Sequence, residues 1–440
     1  MYDFILVNPW IYDFAAYDLW ARPLGLLRLA GLLRQEGYSV AFLDCLDPFH
    51  PELPRPPRRK AYGTGHYFRQ RVPKPASLSD VPRHFSRYGL PVELFLKELL
   101  NFGPPKAFLV TSLMTYWYPG VFEAVRLIRK VYRKVPIYVG GIYVKLCEEH
   151  ASRFLEDAFI LAETDEAKIL ARLKEEISPS GAEAPHPFSA FDLQRKVPYI
   201  VLTTSWGCPF SCKYCASKIL QPVFKERPPE EILAEIKFWY LNYGVRDFAF
   251  YDDALLVNFD RRLGPVLESL LREGIRVRFH TPNAMHIRLI TRERAKLLRR
   301  AGFRTIRLGF ETLDPERHRE LDDKKVRAEE LEEVVAFLRE AGFSRKEIGV
   351  YVLWGLPHQD LSEVENSVRY VARVGGAPYL SEYSPIPGTP LFGDACQVAR
   401  YPLEEDPLFH NNTIFPCLPE PDWQRLENTK RLARKFRHGA

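Results

Sequence analysis

Over the first 176 or so residues, short runs of β-branched and aromatic residues alternate with longer stretches in which apolar positions recur every three to four residues. That rhythm predicts a parallel sheet covered by helices. Strands are expected over residues 4–8, 39–44, 107–113, 136–140 and 158–162. The first helix is expected over residues 23–36, since Pro23 suits an early helical position and Gly37 a helix end. Gly140 and Gly141 follow the fourth strand at once. Glycine there lets the backbone turn sharply or approach a ligand, and ligands of open parallel sheets bind beyond the carboxyl ends of the strands. Between the second strand and the next helix, residues 48–91 show neither period and are expected to form an irregular insertion.

The pattern breaks again near residues 177–196, where Pro179, Gly181, Pro185 and Pro187 interrupt a polar stretch that reads as an interdomain linker. From residue 197 the alternation resumes in longer units, with strands expected over residues 199–204, 247–251, 276–280, 305–309, 347–353 and 378–383. Six β/α units in series predict a partial (β/α)6 barrel of the TIM type over residues 197–392, followed by a C-terminal extension over 393–440 that holds a basic helix near its end. The expected fold is therefore α/β, a Rossmann-like domain (1–176) followed by a barrel whose reactive groups come from the carboxyl ends of its strands.

Composition adds a few bounds. With 440 residues, 46 % of them hydrophobic, the chain can bury sizeable cores. No apolar run approaches the roughly 18 residues of a membrane span, and the N-terminus has neither a basic n-region nor a cleavage site, so a cytoplasmic location is expected. Seven cysteines are odd in number and too sparse for a disulfide framework. A net charge of +6 is mild, but residues 53–77 carry seven arginines and lysines and no acidic residue. That segment reads either as a solvated loop or as a grip on an anionic ligand or partner.

Three of the cysteines, Cys208, Cys212 and Cys215, stand in Ser205-Trp206-Gly207-Cys208-Pro209-Phe210-Ser211-Cys212-Lys213-Tyr214-Cys215. A structural zinc site would be closed by four protein ligands, often as two Cys-x-x-Cys knuckles, and the sequence has no second knuckle. Three thiolates instead suit a four-iron cluster that keeps one iron open to a small chelating molecule. This spacing, with an aromatic residue before the third cysteine, resembles the radical S-adenosylmethionine superfamily. The other strand-end strings of the barrel, in order, also resemble it: Tyr251-Asp252-Asp253, Arg307-Leu308-Gly309-Phe310-Glu311-Thr312, Trp354-Gly355-Leu356-Pro357 and Ser384-Pro385-Ile386-Pro387-Gly388-Thr389-Pro390. The first 176 residues resemble the cobalamin-binding domain of one subgroup, in Arg22-Pro23-Leu24-Gly25-Leu26, Leu113-Met114-Thr115-Tyr116 and Val139-Gly140-Gly141. The Asp-x-His-x-x-Gly string that supplies a cobalt ligand in many cobalamin proteins is absent.

The resemblance implies a [4Fe-4S] cluster on Cys208, Cys212 and Cys215, and S-adenosylmethionine held with help from Tyr214, Asp252, Asp253, Glu311, Asn283, Gly355 and Pro357. Glu311, Asp252 and Asp253 are its candidate catalytic residues, although an aspartate pair and a threonine stand where Gly-Gly-Glu and serine are common. Gly140 and Gly141 are candidates for cobalamin contact. The implied activity is generation of a 5′-deoxyadenosyl radical for cobalamin-dependent methylation, or a related carbon modification, of a small metabolite. A low-potential donor such as flavodoxin or ferredoxin is implied as well, and neither a membrane nor a nucleic-acid partner is expected. Three other readings stay open: a radical rearrangement, cyclisation or epimerisation beside a vestigial cobalamin domain, a non-catalytic iron–sulfur protein, and a tRNA modifier.

Overall fold

The computed structural model describes residues 1–321 and 327–438, and the chain divides into two compact units. One unit holds Met1–Val197 and Glu404–Ile414, and the other holds Pro198–Leu403 and the chain from Phe415 onward.

In the first unit, β1 (Phe4–Asn8), β2 (Val40–Asp44), β3 (Ala107–Val110), β4 (Ile137–Gly140) and β5 (Phe159–Leu161) form a parallel sheet in the order 2-1-3-4-5. Every residue of β1 is buried, as an apolar strand covered on both faces must be. This order is that of a doubly wound fold, and its switch point falls between β1 and β3, where the crevice outside the strand ends is the usual ligand position. The first helix spans Leu24–Gln35, within the expected range, and Gly37 at φ +83° ends it.

Two parts of this unit differ from expectation. The stretch 48–91 is not wholly irregular, because Arg69–Arg71 and Ser86–Tyr88 join Ile11–Asp13 in a three-stranded antiparallel sheet. Strands so short and polar leave no period to read. The expected linker packs on this unit instead of bridging: Tyr38 donates to the Ile177 carbonyl at 2.6 Å, Ser180 Oγ donates to Asp3 at 2.7 Å, and Arg34 pairs with Asp192 at 2.8 Å. The expected C-terminal extension is likewise divided. Its segment Glu404–Ile414 belongs with the first unit, where Asn411 donates to Asp13 at 2.9 Å.

In the second unit, β6 (Ile200–Leu202), β7 (Asp247–Phe250), β8 (Arg278–His280), β9 (Phe303–Glu311), β10 (Ile348–Trp354) and β11 (Ala377–Glu382) run parallel in sequence order. Among the described residues β6 and β11 do not pair, so the barrel is partial. Strand β9 shows how its residues are sorted. Ile306, Leu308 and Phe310 are buried to 1 % exposure or less, and Phe310 stacks on Tyr370 of the helix Leu361–Arg373, so this face meets the helices. Arg307, Gly309 and Glu311 alternate with them and therefore share the opposite, concave face.

Candidate functional site

The cysteine loop leaves β6 through Ser205–Trp206, which pairs antiparallel with Lys225–Glu226. At Gly207 φ is +74°, and a Cβ there would lie 2.9 Å from the carbonyl oxygens of both Gln221 and Val223, so only glycine lets the chain turn into Cys208. The loop is fixed from several sides. Lys213 N–H donates to the Leu321 carbonyl and Leu391 N–H to the Lys213 carbonyl, each at 3.0 Å, while the Phe210 ring stacks on His286 at 4.4 Å. Cys208 accepts from the Phe210 N–H, Cys215 accepts from the Ser217 N–H at 3.4 Å, and no cysteine forms a disulfide.

Burial pushes the Cys208 thiol up to about 11, so a metal must displace its proton to bind. The three thiols stand on one short, pinned loop, although among the described residues no set of His, Cys, Asp or Glu side chains is gathered as a metal-holding group.

Strand ends bring Glu311, Asp252 and Asp253 to this loop. Tyr214 donates its phenol to Glu311, and burial, the Glu311 charge and the neighbouring Cys212 and Cys215 hold that phenol well above its usual range. Glu311 closes β9 in a non-glycine left-handed conformation, φ +70°, beside a register shift against β10. Strain of this kind persists only where the surroundings impose it. Here Thr312 donates to Glu363 at 2.6 Å and Leu313 N–H donates to Ser367 at 2.9 Å, which ties the residues after Glu311 to the helix Leu361–Arg373. The threonine found where serine is common thus has a structural task.

The two aspartates after β7 divide their work. Asp252 is 2 % exposed and accepts from Thr204 N–H at 3.0 Å, Thr204 Oγ1 at 2.6 Å, Ser205 Oγ at 2.8 Å and Arg262 at 3.0 Å. It anchors the root of the cysteine loop. Asp253 accepts from Ser217 Oγ at 2.5 Å, just past Cys215, and its charge is felt at Cys208. Although Asp253 reaches the surface, the protein around it and the adjacent Asp252 raise its carboxyl above the ordinary range. Asn283 bridges the loops after β8 and β7 by donating to the carbonyls of Tyr251 at 3.0 Å and Asp252 at 3.3 Å.

Gly355 and Pro357 lie in the buried turn after β10. Gly355 has φ +79°, a Cβ there would meet Phe415 at 3.0 Å, and the Pro357 carbonyl accepts from Arg317. Gly140 and Gly141 lie in the first unit. Gly141 has φ +99°, and a Cβ on it would stand 2.3 Å from the Ser112 carbonyl, so the ends of β3 and β4 approach as closely as backbone allows.

Several residues of the second unit carry no sequence signal. Arg262, 1 % exposed, holds Asp252 and donates to the carbonyls of Leu255 and Val257 at 2.9 and 2.8 Å. On the concave face Arg307 is 5 % exposed, lies 4.3 Å over the Tyr379 ring, donates to Tyr351, and has no ion pair among the described residues. Arg437 approaches the same ring at 4.7 Å. His280 is fully buried between Asp247 and Thr305, at 3.0 Å from each, so it serves the strand framework.

Comparison with known proteins accords with this geometry. Residues 202–371 match the sequence profile of the Radical SAM superfamily. An uncharacterized methyltransferase of Pyrococcus horikoshii is 24 % identical over 198 residues, covering 44 % of this chain and 42 % of that protein. The bacteriochlorophyllide d C-12(1)-methyltransferase of Chlorobaculum tepidum is 24 % identical over 245 residues, covering 55 % and 52 %. The chain thus spans about half the length of these curated relatives. Among solved structures, the radical S-adenosylmethionine methyltransferase TsrM of Kitasatospora setae, with cobalamin and a [4Fe-4S] cluster bound, shares the fold at a TM-score of 0.69 and 16 % identity, covering 99 % of this chain and 89 % of that one. The cobalamin-dependent radical enzyme OxsB shares it at a TM-score of 0.56 and 13 % identity, covering 99 % and 56 %. Residues 202–371 are thus a radical S-adenosylmethionine domain.

Proposed function

We propose that this chain is a cobalamin-dependent radical S-adenosylmethionine enzyme that methylates, or otherwise modifies at carbon, a small metabolite. The observation that carries the reading is the meeting of the cysteine loop with Glu311 through Tyr214, and with Asp253 through Ser217. When bound, a [4Fe-4S] cluster with S-adenosylmethionine supplies a 5′-deoxyadenosyl radical, and cobalamin supplies a transferable methyl group.

The residues divide accordingly. Cys208, Cys212 and Cys215 hold the cluster. Glu311 and Asp253 are the carboxylates that meet the polar atoms of S-adenosylmethionine, and Tyr214 fixes Glu311 by its hydrogen bond. Asp252, Arg262 and Asn283 position the loops. The turn at Gly355 and Pro357 offers backbone at close range to the nucleoside. In the first unit the β1–β3 switch point and the close-packed backbone at Gly140 and Gly141 suit a corrinoid, a reading supported by the shared fold with TsrM and OxsB across both units.

Arg307 points to the substrate class. A buried guanidinium without a carboxylate partner is costly unless an anion joins it, so the substrate is a small molecule bearing an acidic group. The radical domain also requires an electron donor of low potential.

No helix among the described residues is long and apolar enough to cross a membrane. The test is anaerobic reconstitution with iron, sulfide and hydroxocobalamin, followed by S-adenosylmethionine and a low-potential reductant. The reading expects 5′-deoxyadenosine, together with S-adenosylhomocysteine from methylation of the corrinoid. Release of 5′-deoxyadenosine alone, unchanged by omitting cobalamin, would move the chain to radical rearrangement chemistry.

A further inference from the structure

We propose that the basic insertion of the first unit forms a pocket for the phosphoryl group of a small molecule. The observation is a cavity of about 310 Å³ whose wall brings together Arg55, Arg58, His66 and Arg69 above the buried aromatic residues Tyr67 and Tyr88, with no acidic side chain in its lining.

The insertion is built to hold that shape. Asp18 and Gly65 exchange backbone hydrogen bonds at 2.9 and 3.0 Å, and His66 N–H donates to the Arg58 carbonyl at 3.0 Å. Gly65 is required here, since a Cβ on it would stand 2.5 Å from the Arg58 carbonyl. Asp18 is itself fully buried, and its carboxylate is engaged by Arg22 at 3.5 Å and by Arg59. Arg55, Arg58 and Arg69 have no ion pair among the described residues. Arg69 begins a strand paired with Ser86–Tyr88, so its position is set by the sheet.

Unpaired cations on a solvated loop separate to lower their repulsion. Here they converge on a concavity, where His66 is held below its ordinary range first by burial and then by the charges of Lys60, Arg69, Arg58 and Arg59. The planar fork of arginine matches phosphate oxygens two at a time, and several forks around one cavity form an anion site. The arrangement suits a single phosphoryl group better than a nucleic acid. Tyr67 and Tyr88 are 4 % and 3 % exposed, so they form a floor and offer no open ring on which successive bases could stack.

The test follows the His66 ring in the full chain labelled with 13C-histidine, titrated with pH in the absence and presence of inorganic phosphate, phenyl phosphate or chloride at equal ionic strength. A saturable rise in the His66 pKa with either phosphate compound, and none with chloride, is the expected result. A stronger response to phenyl phosphate than to inorganic phosphate assigns the site to a phosphoester, and the reverse assigns it to free phosphate. In the Arg58→Ala/Arg69→Ala double variant the affinity should fall at least about tenfold, with the melting temperature unchanged because both side chains are exposed. Equal, non-saturating responses to phosphate and chloride would overturn the proposal. So would unchanged affinity in the double variant, or binding of RNA without binding of either phosphate compound.

Discussion

The two parallel sheets solve the placement of a site in different ways. In the second unit the strand ends carry chemically distinct side chains that touch one another: Tyr214 with Glu311, Ser217 with Asp253, and Asp252 with Thr204 and Arg262. In the first unit the ends of β3 and β4 and the turn after β1 carry backbone packed against backbone, with Gly141 against Ser112 and Gly120 against Trp10, where a Cβ would fall 1.9 Å from the Trp10 carbonyl. One region specifies chemistry, and the other specifies shape. Substitutions in the second unit should therefore separate stability from ligand binding according to the group removed, whereas in the first unit any added atom should disturb both together.

The largest effect is expected at the joint of the cysteine loop. Asp252→Ala leaves Arg262 with only its looser pairing to Glu226 at 3.5 Å and three other buried donors without this acceptor, a loss of about 3–5 kcal/mol. Differential scanning calorimetry of cluster-free protein should show a lower melting temperature, and iron analysis after reconstitution should show little cluster. Near-normal iron content would mean that the loop is held by its other anchors, and would weaken the division of roles between the two aspartates.

In the first unit, Gly141→Ala forces an alanine to φ +99° and against the Ser112 carbonyl, at a cost of about 1–3 kcal/mol. Equilibrium dialysis with hydroxocobalamin should show loss of corrinoid binding, while iron content stays normal. Retained corrinoid with a lowered melting temperature would detach this close approach from the cofactor.

Glu311→Gln keeps shape and removes charge. Affinity for S-adenosylmethionine should fall roughly tenfold to a hundredfold, the range of a charge-assisted hydrogen bond, with the cluster spectrum unchanged. Tyr214→Phe should cost less, because Glu311 is also held through its strained backbone and the residues after it. Isothermal titration of the anaerobic protein measures both, and equal losses would show that the phenol itself contacts the ligand.

Arg307→Met tests the opposite sign. Replacing a buried, unpaired cation with an apolar residue of similar length should leave the melting temperature equal or raise it by a few degrees. Turnover should nevertheless disappear. A clear loss of stability would make Arg307 a framework residue, fixed by its contacts with Tyr379, Tyr351 and the Ile306 carbonyl at 2.9 Å.

The same contrast explains what the sequence made legible. All eleven parallel strands lie at or within a few residues of their expected positions, because buried strands are written as apolar runs. That Glu311 stands beside the cysteine loop was legible because both follow strand ends of one barrel. Arg262 and Arg307 were not, since a buried arginine is defined by how the folded chain closes around it, and nothing in its local residue pattern distinguishes it from a surface one. The Asp252 network, the packing of 177–196 on the first unit and the transfer of Glu404–Ile414 to that unit are likewise long-range facts. The three-residue strands at Arg69–Arg71 and Ser86–Tyr88 are too short for any period to show.

The most narrowly conditional effect is a pH dependence of the first unit, absent near pH 4 and present only above pH 6. Asp44, at the end of β2, is pushed up to about 6 by burial and by the charge of Asp47, against the opposing pull of Arg22, the Asn8 amide and the Leu46 N–H. Its ordinary value is near 3.8, so between these limits the folded state binds more protons than the unfolded one. Stability linked to Asp44 is therefore fully present below pH ~4 and is lost as pH rises through about 6. Asp3 acts in a separate window. Its burial is outweighed by Lys106 and Ser180, which lower its pKa, so its contribution is lost only as pH falls below ~4. Asp44→Asn keeps an oxygen for the Asn8 amide, now 2.7 Å away, and removes the titration. Hydrogen exchange of the β1 and β2 amides, compared between wild type and variant at each pH, should agree near pH 4 and diverge above pH 6. The variant should then be more protected, by about 1–3 kcal/mol. Equal protection at every pH would mean that Asp44 keeps an ordinary carboxylate environment and that the end of β2 carries charge without cost.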